Sequence, residues 1–139
     1  MYDLDKQIGY KLRLAQQRHL DIFCRRMPDI TPTQFSVMVR LHNKQPLSQN
    51  QLGRTVNMDA ATTKGVVDRL IERGWLQSQA CRNDKRRRNI SLTASGEEFI
   101  ESAVPVALEI SENTLKPLSS KEQQQLLTLL NRIATKQSL

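Results

Sequence analysis

Ser48-Gln-Asn-Gln-Leu-Gly-Arg-Thr-Val-Asn-Met-Asp-Ala-Ala-Thr-Thr-Lys-Gly-Val-Val-Asp-Arg-Leu-Ile-Glu-Arg-Gly74 is the stretch whose reading decides the fold. It opens on Ser48-x-x-Gln51, in which the serine hydroxyl can cap the third helical amide and the glutamine can reach back to the serine amide. A short helix is therefore predicted from Ser48 to near Val56. Two or three residues of turn follow, and Asp59 can cap a second helix. On it Thr63, Val67, Leu70 and Ile71 fall on one face, and Gly74 stands as the residue just past the helix end. Two capped helices joined by so short a turn have helix-turn-helix spacing.

Downstream, Trp75–Ala80 and Asn89–Thr93 alternate roughly as two strands, with Asn83-Asp84 as turn formers between them. Arg82-Asn-Asp-Lys-Arg-Arg-Arg88 places five basic residues around one acid at the tip of that hairpin. A basic hairpin following a helix-turn-helix is the outline of a winged DNA-binding lobe. Upstream, Thr31-Pro32-Thr33-Gln34 is a second capping box with proline at the first helical position, predicting a helix to about Asn43, with Pro46 blocking its continuation.

The flanks are helical as well. Leu4, Ile8, Leu12, Ala15, Leu20 and Phe23 mark a long first helix that stops before Pro28. Thr93 or Ser95 can cap a helix to about Leu115, kinked at Pro105 and ended by Pro117. Ser119-Ser-Lys-Glu122 opens a last helix with a stripe of Leu126, Leu127, Leu130, Ile133 and Ala134. The fold class predicted is mainly α with a small β-hairpin wing, in one domain spanning 1–139. Residues about 30–95 form the DNA-binding lobe, and about 1–27 and 96–139 supply flanking helices. The apolar stripes of those helices exceed what a small winged lobe can cover. Pairing with a second copy, to give a homodimer, is their expected use, the alternative being completion of a monomeric core.

Composition limits the function classes. An aromatic content of 4% leaves the core to Leu, Ile, Val and Met, which favours helix packing. A net charge of +7 points to a polyanionic partner, nucleic acid or an anionic membrane surface. No apolar run approaches the ~20 residues of a spanning helix, and the first residues lack a signal peptide's apolar centre, so a cytoplasmic location is expected. Cys24, Cys81, His19 and His42 share no metal-ligand spacing, so no metal, cofactor or disulfide framework is implied. No nucleophile–base arrangement and no glycine-rich phosphate loop occurs, which argues against an enzyme.

Leu47-Ser-Gln-Asn-Gln-Leu52, Met58-Asp59 with Thr62, Val67-Asp-Arg-Leu70, Glu72-Arg-Gly-Trp75, Asp84-Lys-Arg86 and Ile90-Ser-Leu-Thr-Ala-Ser-Gly96 occur in this order at this spacing. The ordered set resembles the MarR family of bacterial winged-helix regulators over nearly the whole chain. That resemblance implies a dimeric transcription factor, usually a repressor, whose DNA affinity falls when a small ligand binds between the dimer helices and the DNA-binding lobe. It also implies that Asp84 orients the wing by pairing with a basic group.

The DNA-facing residues follow from position. If Thr63, Val67 and Leu70 face the core, the opposite face of that helix carries Ala61, Thr62, Gly65, Asp68, Arg69 and Glu72, with Lys64 at the edge. Small residues permit close approach to the major groove. Thr62 and Thr63 can donate to phosphate or touch a thymine methyl, though either can equally be an ordinary capping-turn residue, and Lys64 can reach a guanine edge or phosphate. Arg69 can contact phosphate or pair with Glu72 or Asp68. In the wing, Arg86 is the candidate for a narrow A·T minor groove. Arg82, Lys85, Arg87 and Arg88 would anchor phosphates, which sets affinity and salt sensitivity and not sequence choice.

For the effector, Arg13, Arg18 and His19 lie amid Tyr10, Leu14 and Phe23, a mixture able to hold a carboxylate against an apolar wall or to form an ordinary charged surface. Gly9-Tyr-Lys-Leu-Arg13, Arg18-His19, Ile22-Phe23 and Thr31-Pro-Thr-Gln-Phe35 resemble, more loosely, repressors of aromatic-acid and nicotinate catabolism. This implies an aromatic or heteroaromatic carboxylate as the effector; Arg40 and His42 are secondary candidates. Two alternatives stand beside the ligand-responsive reading: oxidant sensing through Cys24, helped by Arg25 and Arg26, and a constitutive basic nucleic-acid-binding module.

Overall fold

The computed structural model describes residues 1–84 and 86–135. A single 3-10 turn, Leu4–Lys6, precedes helices α1 (Ile8–Arg26) and α2 (Pro32–Asn43). Then come a two-residue strand β1 (Leu47–Ser48), helices α3 (Gln49–Thr55) and α4 (Ala60–Glu72), strands β2 (Leu76–Ala80) and β3 (Arg88–Leu92), and helices α5 (Ala94–Leu115) and α6 (Ser120–Ala134). The helix starts follow the capping chemistry. Thr31, Ser48 and Ser119 each form a complete box with Gln34, Gln51 and Glu122, and Asp59 Oδ1 accepts from the Thr62 amide at 2.7 Å. Gly74 follows α4 at φ +81°, the left-handed position predicted for it.

By its contacts the chain divides into two compact units, Phe23–Ala107 and the pair of segments 1–22 and 108–139. The winged unit divided in this way extends beyond 30–95 at both ends. Phe23, Met27, Ile100 and Ala103 are all buried, so the end of α1 and the first half of α5 belong with the winged lobe. Phe23 packs edge-on against Phe35 with ring centres 6.3 Å apart.

The core of the winged unit is almost wholly aliphatic, as the scarcity of aromatics foretold. Val37, Met38 and Leu41 of α2, Leu52 of α3, Val66, Val67 and Leu70 of α4, and Ile90 and Leu92 of β3 are buried together with Leu76. Ile71 does not join them. It is 36% exposed and Val66 takes its place, because the inward arc of α4 is centred one residue earlier than the apolar spacing implied. Gly53 sits where α3 meets α4. A Cβ there would stand 2.8 Å from Thr63 Oγ1 and 3.1 Å from the Met58 carbonyl oxygen, so the two helices approach as closely as they do only because this side chain is absent.

The sheet has three strands in the order β1-β3-β2, all antiparallel. β1 pairs Leu47 with Ile90 and Ser48 with Asn89. It is too short to show an alternation, and no sequence signal marks it. Just before β1 lies a cis Gln45–Pro46 bond, and the Gln45 side chain supplies what a further strand residue would have supplied: its Oε1 accepts from the Leu92 amide at 2.8 Å. The same amide group donates through Nε2 to Glu97 Oε1 at 2.6 Å, and His42 Nδ1 lies 2.9 Å from Glu97 Oε2. Those donors, Gln45 first and His42 second, hold the Glu97 carboxyl below the usual carboxylate range. One network thereby ties the end of α2, the inner wing strand and the first turn of α5.

In the other unit Arg18 of α1 donates to the carbonyls of Asn113 and Thr114 near the end of α5, carbonyls that the helix itself leaves unpaired. His19 Nδ1 lies 2.8 Å from Thr114 Oγ1. Gln123 of α6 donates to the carbonyls of Leu115 and Leu118 at 3.0 Å each, closing the turn between α5 and α6. Leu4, Ile8, Leu12, Leu108, Leu127 and Ile133 are exposed here while Leu20, Leu126 and Leu130 are half-buried, so much of the stripes seen in the sequence is left uncovered among the described residues.

Candidate nucleic-acid interface

Two elements of the winged unit present polar and basic groups to solvent: α4 and the β2–β3 tip. On α4 the outward residues are Ala61, Thr62, Lys64, Asp68, Arg69 and Glu72, with Gly65 half-buried. Thr63 leaves the expected DNA-facing set. It is fully buried, and its hydroxyl donates to the Asp59 carbonyl at 2.7 Å while packing against Gly53. The Asp59 cap draws on both the amide and the hydroxyl of Thr62, which hold its carboxyl below the usual range and place a negative charge at the positive end of the helix.

Charge pairing on α4 involves Lys64 and not Arg69. Lys64 Nζ meets Asp68 Oδ2 at 2.7 Å one turn along, both groups being exposed. Asp68 is thereby taken, and among the described residues Arg69 forms no ion pair with it or with Glu72. An exposed pair of this kind contributes only ~0.3–0.5 kcal/mol, so a phosphate can displace Asp68 from Lys64 at small cost.

The wing is a regular ladder. Five residue pairs run from Leu76–Leu92 to Ala80–Arg88, and the Cys81 amide donates to the Arg87 carbonyl at 2.8 Å to extend it. Ile90 and Leu92 are buried and anchor the base. At the tip Asp84 plays a different part from the expected pairing with a basic side chain. Its Oδ1 accepts from the Arg86 amide at 3.0 Å and its carbonyl accepts from the Arg87 amide at 3.0 Å, an Asx turn that reverses the chain. Among the described residues it forms no ion pair. Arg82, Arg86, Arg87 and Arg88 are all exposed and, among the described residues, none is paired with an acid. Lys85 lies outside the described residues.

Arg73 and Trp75 brace the wing where it leaves α4. The Arg73 guanidinium stands 4.0 Å over the Trp75 ring and donates to the Asp29 carbonyl, and Trp75 stacks on Phe99 of α5 with ring centres 4.0 Å apart. The sequence did not mark the Gln45–His42–Glu97 network or the seat of Arg73 on Trp75, because nothing in the spacing of these residues announces that they meet. Of the effector candidates, Arg18 and His19 come together at the end of α5, and Arg13 stands 5.3 Å over the Tyr10 ring. His42 is engaged with Glu97. Cys24 is exposed and Cys81 half-buried. Among the described residues no group of His, Cys, Asp or Glu could hold a metal ion, and no helix is long and apolar enough to cross a membrane.

A helix-turn-helix with a three-stranded sheet and an uncompensated arginine tip defines a winged-helix DNA-binding protein. Residues 30–87 match the MarR family model. The chain is 34% identical to the HTH-type transcriptional repressor NicR of Pseudomonas putida over 95% of its own length and 85% of that protein. Among solved structures, a probable transcriptional regulator from Pseudomonas aeruginosa is 45% identical, with TM-score 0.90 over 94% of this chain and 99% of that one. BpsR of Bordetella bronchiseptica, whose DNA binding is regulated by 6-hydroxynicotinic acid, is 30% identical, with TM-score 0.94 over 99% of both chains. The chain belongs to the MarR family: it is a transcriptional regulator and not an enzyme.

Proposed function

We propose that this regulator is a repressor that holds a pseudo-palindromic operator as a homodimer and releases it when a small aromatic or heteroaromatic carboxylate binds. The observation that carries the reading is the wing tip, where Arg82, Arg86, Arg87 and Arg88 stand exposed without acidic partners on a tip held by an Asx turn. Arg86 enters the minor groove, its neighbours and Lys85 anchor phosphates, and Ala61, Thr62, Lys64 and Arg69 of α4 meet the major groove. The uncovered apolar faces of α1, α5 and α6 pair with those of a second copy, which sets two recognition helices about one helical turn, ~10 bp, apart.

For the effector, the support is the similarity to NicR and to BpsR, together with a cluster suited to a carboxylate. Arg13 is exposed over Tyr10, His19 is half-buried beside Thr114, and Arg18, though committed to the α5 carbonyls, adds positive charge. Operation on chromosomal DNA places the protein in the cytoplasm.

The test is fluorescence anisotropy on a duplex from the promoter of its own gene, with random duplex and RNA as competitors and 6-hydroxynicotinic acid as titrant. Preferred binding of the promoter and its reversal by the acid are expected. Equal loss of the complex to RNA and to random DNA overturns the repressor reading. A thermal-shift screen of aromatic carboxylates with Arg13→Ala and His19→Ala then locates the effector; shifts that survive both substitutions place it elsewhere.

A further inference from the structure

Two neighbouring hollows of about 440 Å³ each open on the winged unit between α2 and α3. They share Arg40 and Thr55, so they form one groove, with Phe35 and Val39 at one end and Lys44 and Arg54 at the other. No acidic residue lines either hollow. Among the uncharged polar residues, Asn43 and Asn57 also line the groove, while three others are engaged locally. Ser36 donates to the Pro32 carbonyl, Thr55 donates to the Leu52 carbonyl, and Gln51 Oε1 accepts from the Ser48 amide. The charged groups that line it are all cationic. Arg40, Lys44 and Arg54 are exposed, and among the described residues their side chains make no ion pair or hydrogen bond.

Three like charges around one groove repel one another, so an anion that settles among them gains attraction and relieves repulsion together. We propose that this groove is a phosphate-backbone clamp: Arg40, Lys44 and Arg54 hold the DNA backbone beside the half-site that α4 and the wing read. The inference rests on the repressor reading and extends its interface to a surface the sequence did not mark for DNA. Duplex DNA is favoured over a small anion for two reasons. The groove is wide and open, and one of its walls, α3, is the first helix of the helix-turn-helix, the element that crosses the backbone when its partner enters the major groove. The unit that contains it also carries most of the chain's excess positive charge. Phosphate contacts of this kind set register and affinity and carry no sequence information.

The experiment measures the salt dependence of binding by the full chain and by an Arg40→Gln/Lys44→Gln/Arg54→Gln variant, on its own promoter duplex and on a random duplex. Each phosphate contact contributes about 0.9 to the slope of log K against log salt. The triple variant is expected to lose roughly 5 of that slope, three contacts from each of the two subunits, to weaken equally on both duplexes, and to melt like the wild type. A companion Arg40→Lys/Arg54→Lys variant is expected to keep the slope. A triple variant with wild-type slope, a loss confined to the promoter duplex, or a companion that loses the slope as well overturns the clamp. So does a thermal shift by inorganic phosphate or 6-hydroxynicotinic acid that the triple variant abolishes while its DNA slope stays intact, which would make the groove a small-anion site. Failure of the wild type to bind either duplex sinks the repressor reading itself, and the two failures are told apart by that control.

Discussion

Replacing Gly96 with alanine is expected to loosen the root of the wing, although alanine ordinarily strengthens a helix. Gly96 lies in the first turn of α5, and a Cβ built on it stands 2.1 Å from the Trp75 carbonyl oxygen and 3.0 Å from the Trp75 carbonyl carbon. An ordinary carbon–oxygen contact is about 3.3 Å or more, so helix and strand must part by roughly 1 Å. The groups that must give way are backbone and not the end of a flexible side chain. That same Trp75 carbonyl accepts the Thr93 amide at 3.0 Å, and the Thr93 hydroxyl donates to the Gly74 carbonyl at 2.6 Å and accepts from the Gly96 amide at 3.1 Å. The Trp75–Phe99 stack lies across the same gap.

Overpacking costs about 1–3 kcal/mol, weakening two hydrogen bonds about 1 kcal/mol each, and disturbing the stack ~0.5–1.5 kcal/mol. The helix preference of alanine returns about 1 kcal/mol. The net loss is ~2.5–5.5 kcal/mol, which for a chain of this size lowers Tm by roughly 8–20 °C. Thermal denaturation followed by far-ultraviolet circular dichroism measures it. Gly65→Ala in α4 is the matched control: a Cβ there meets nothing within 4 Å, so only the helix preference acts. A rise of ~0.5–1 kcal/mol, about 2–4 °C, is expected. A Gly96→Ala protein melting at or above the wild type refutes the packing argument.

Arg86→Ala should weaken promoter binding by more than about threefold, ~0.7 kcal/mol, while leaving the oligomeric state in size-exclusion chromatography unchanged; a smaller effect removes Arg86 from the groove. Asp84→Asn retains the acceptor that the Arg86 amide requires and should bind DNA like the wild type, whereas Asp84→Ala loses the turn and should bind more weakly. Anisotropy that finds the asparagine variant as weak as the alanine one restores a role for the negative charge. Asp59, Glu97 and Glu122 are each held below the usual carboxylate range by hydrogen bonds. Carboxyls lowered in the folded state contribute stability that is present above the ordinary carboxylate pKa and is lost as pH falls through the folded value. Melting temperature should therefore drop at and below that range, less steeply for Glu97→Gln than for the wild type, and equal slopes in the two pH series would dismiss Glu97 as a contributor.

What the sequence by itself determined is the order and type of the helices and of the two wing strands, though not of β1, and the place of the basic tip. The reason is that these are local matters. A hydroxyl or carboxylate three residues from an amide caps a helix wherever it occurs, as Thr31, Ser48, Asp59 and Ser119 do, and arginines at a turn stay outside any core. Only the tertiary structure decided which side of each element is spent. Thr63 and Thr62 are adjacent and chemically alike, and both stood as DNA candidates although apolar spacing turned Thr63 inward; the packing of α3 on α4 seals Thr63 against Gly53, leaves Thr62 facing solvent and buries Val66 in place of Ile71. The same holds for contacts made far along the chain. Glu97, Gln45 and His42 meet across about 50 residues, and Arg40, Lys44 and Arg54 gather around a groove between two helices. Neither grouping has a spacing to read, since the distances that matter are set by how the helices cross and not by how the residues follow one another.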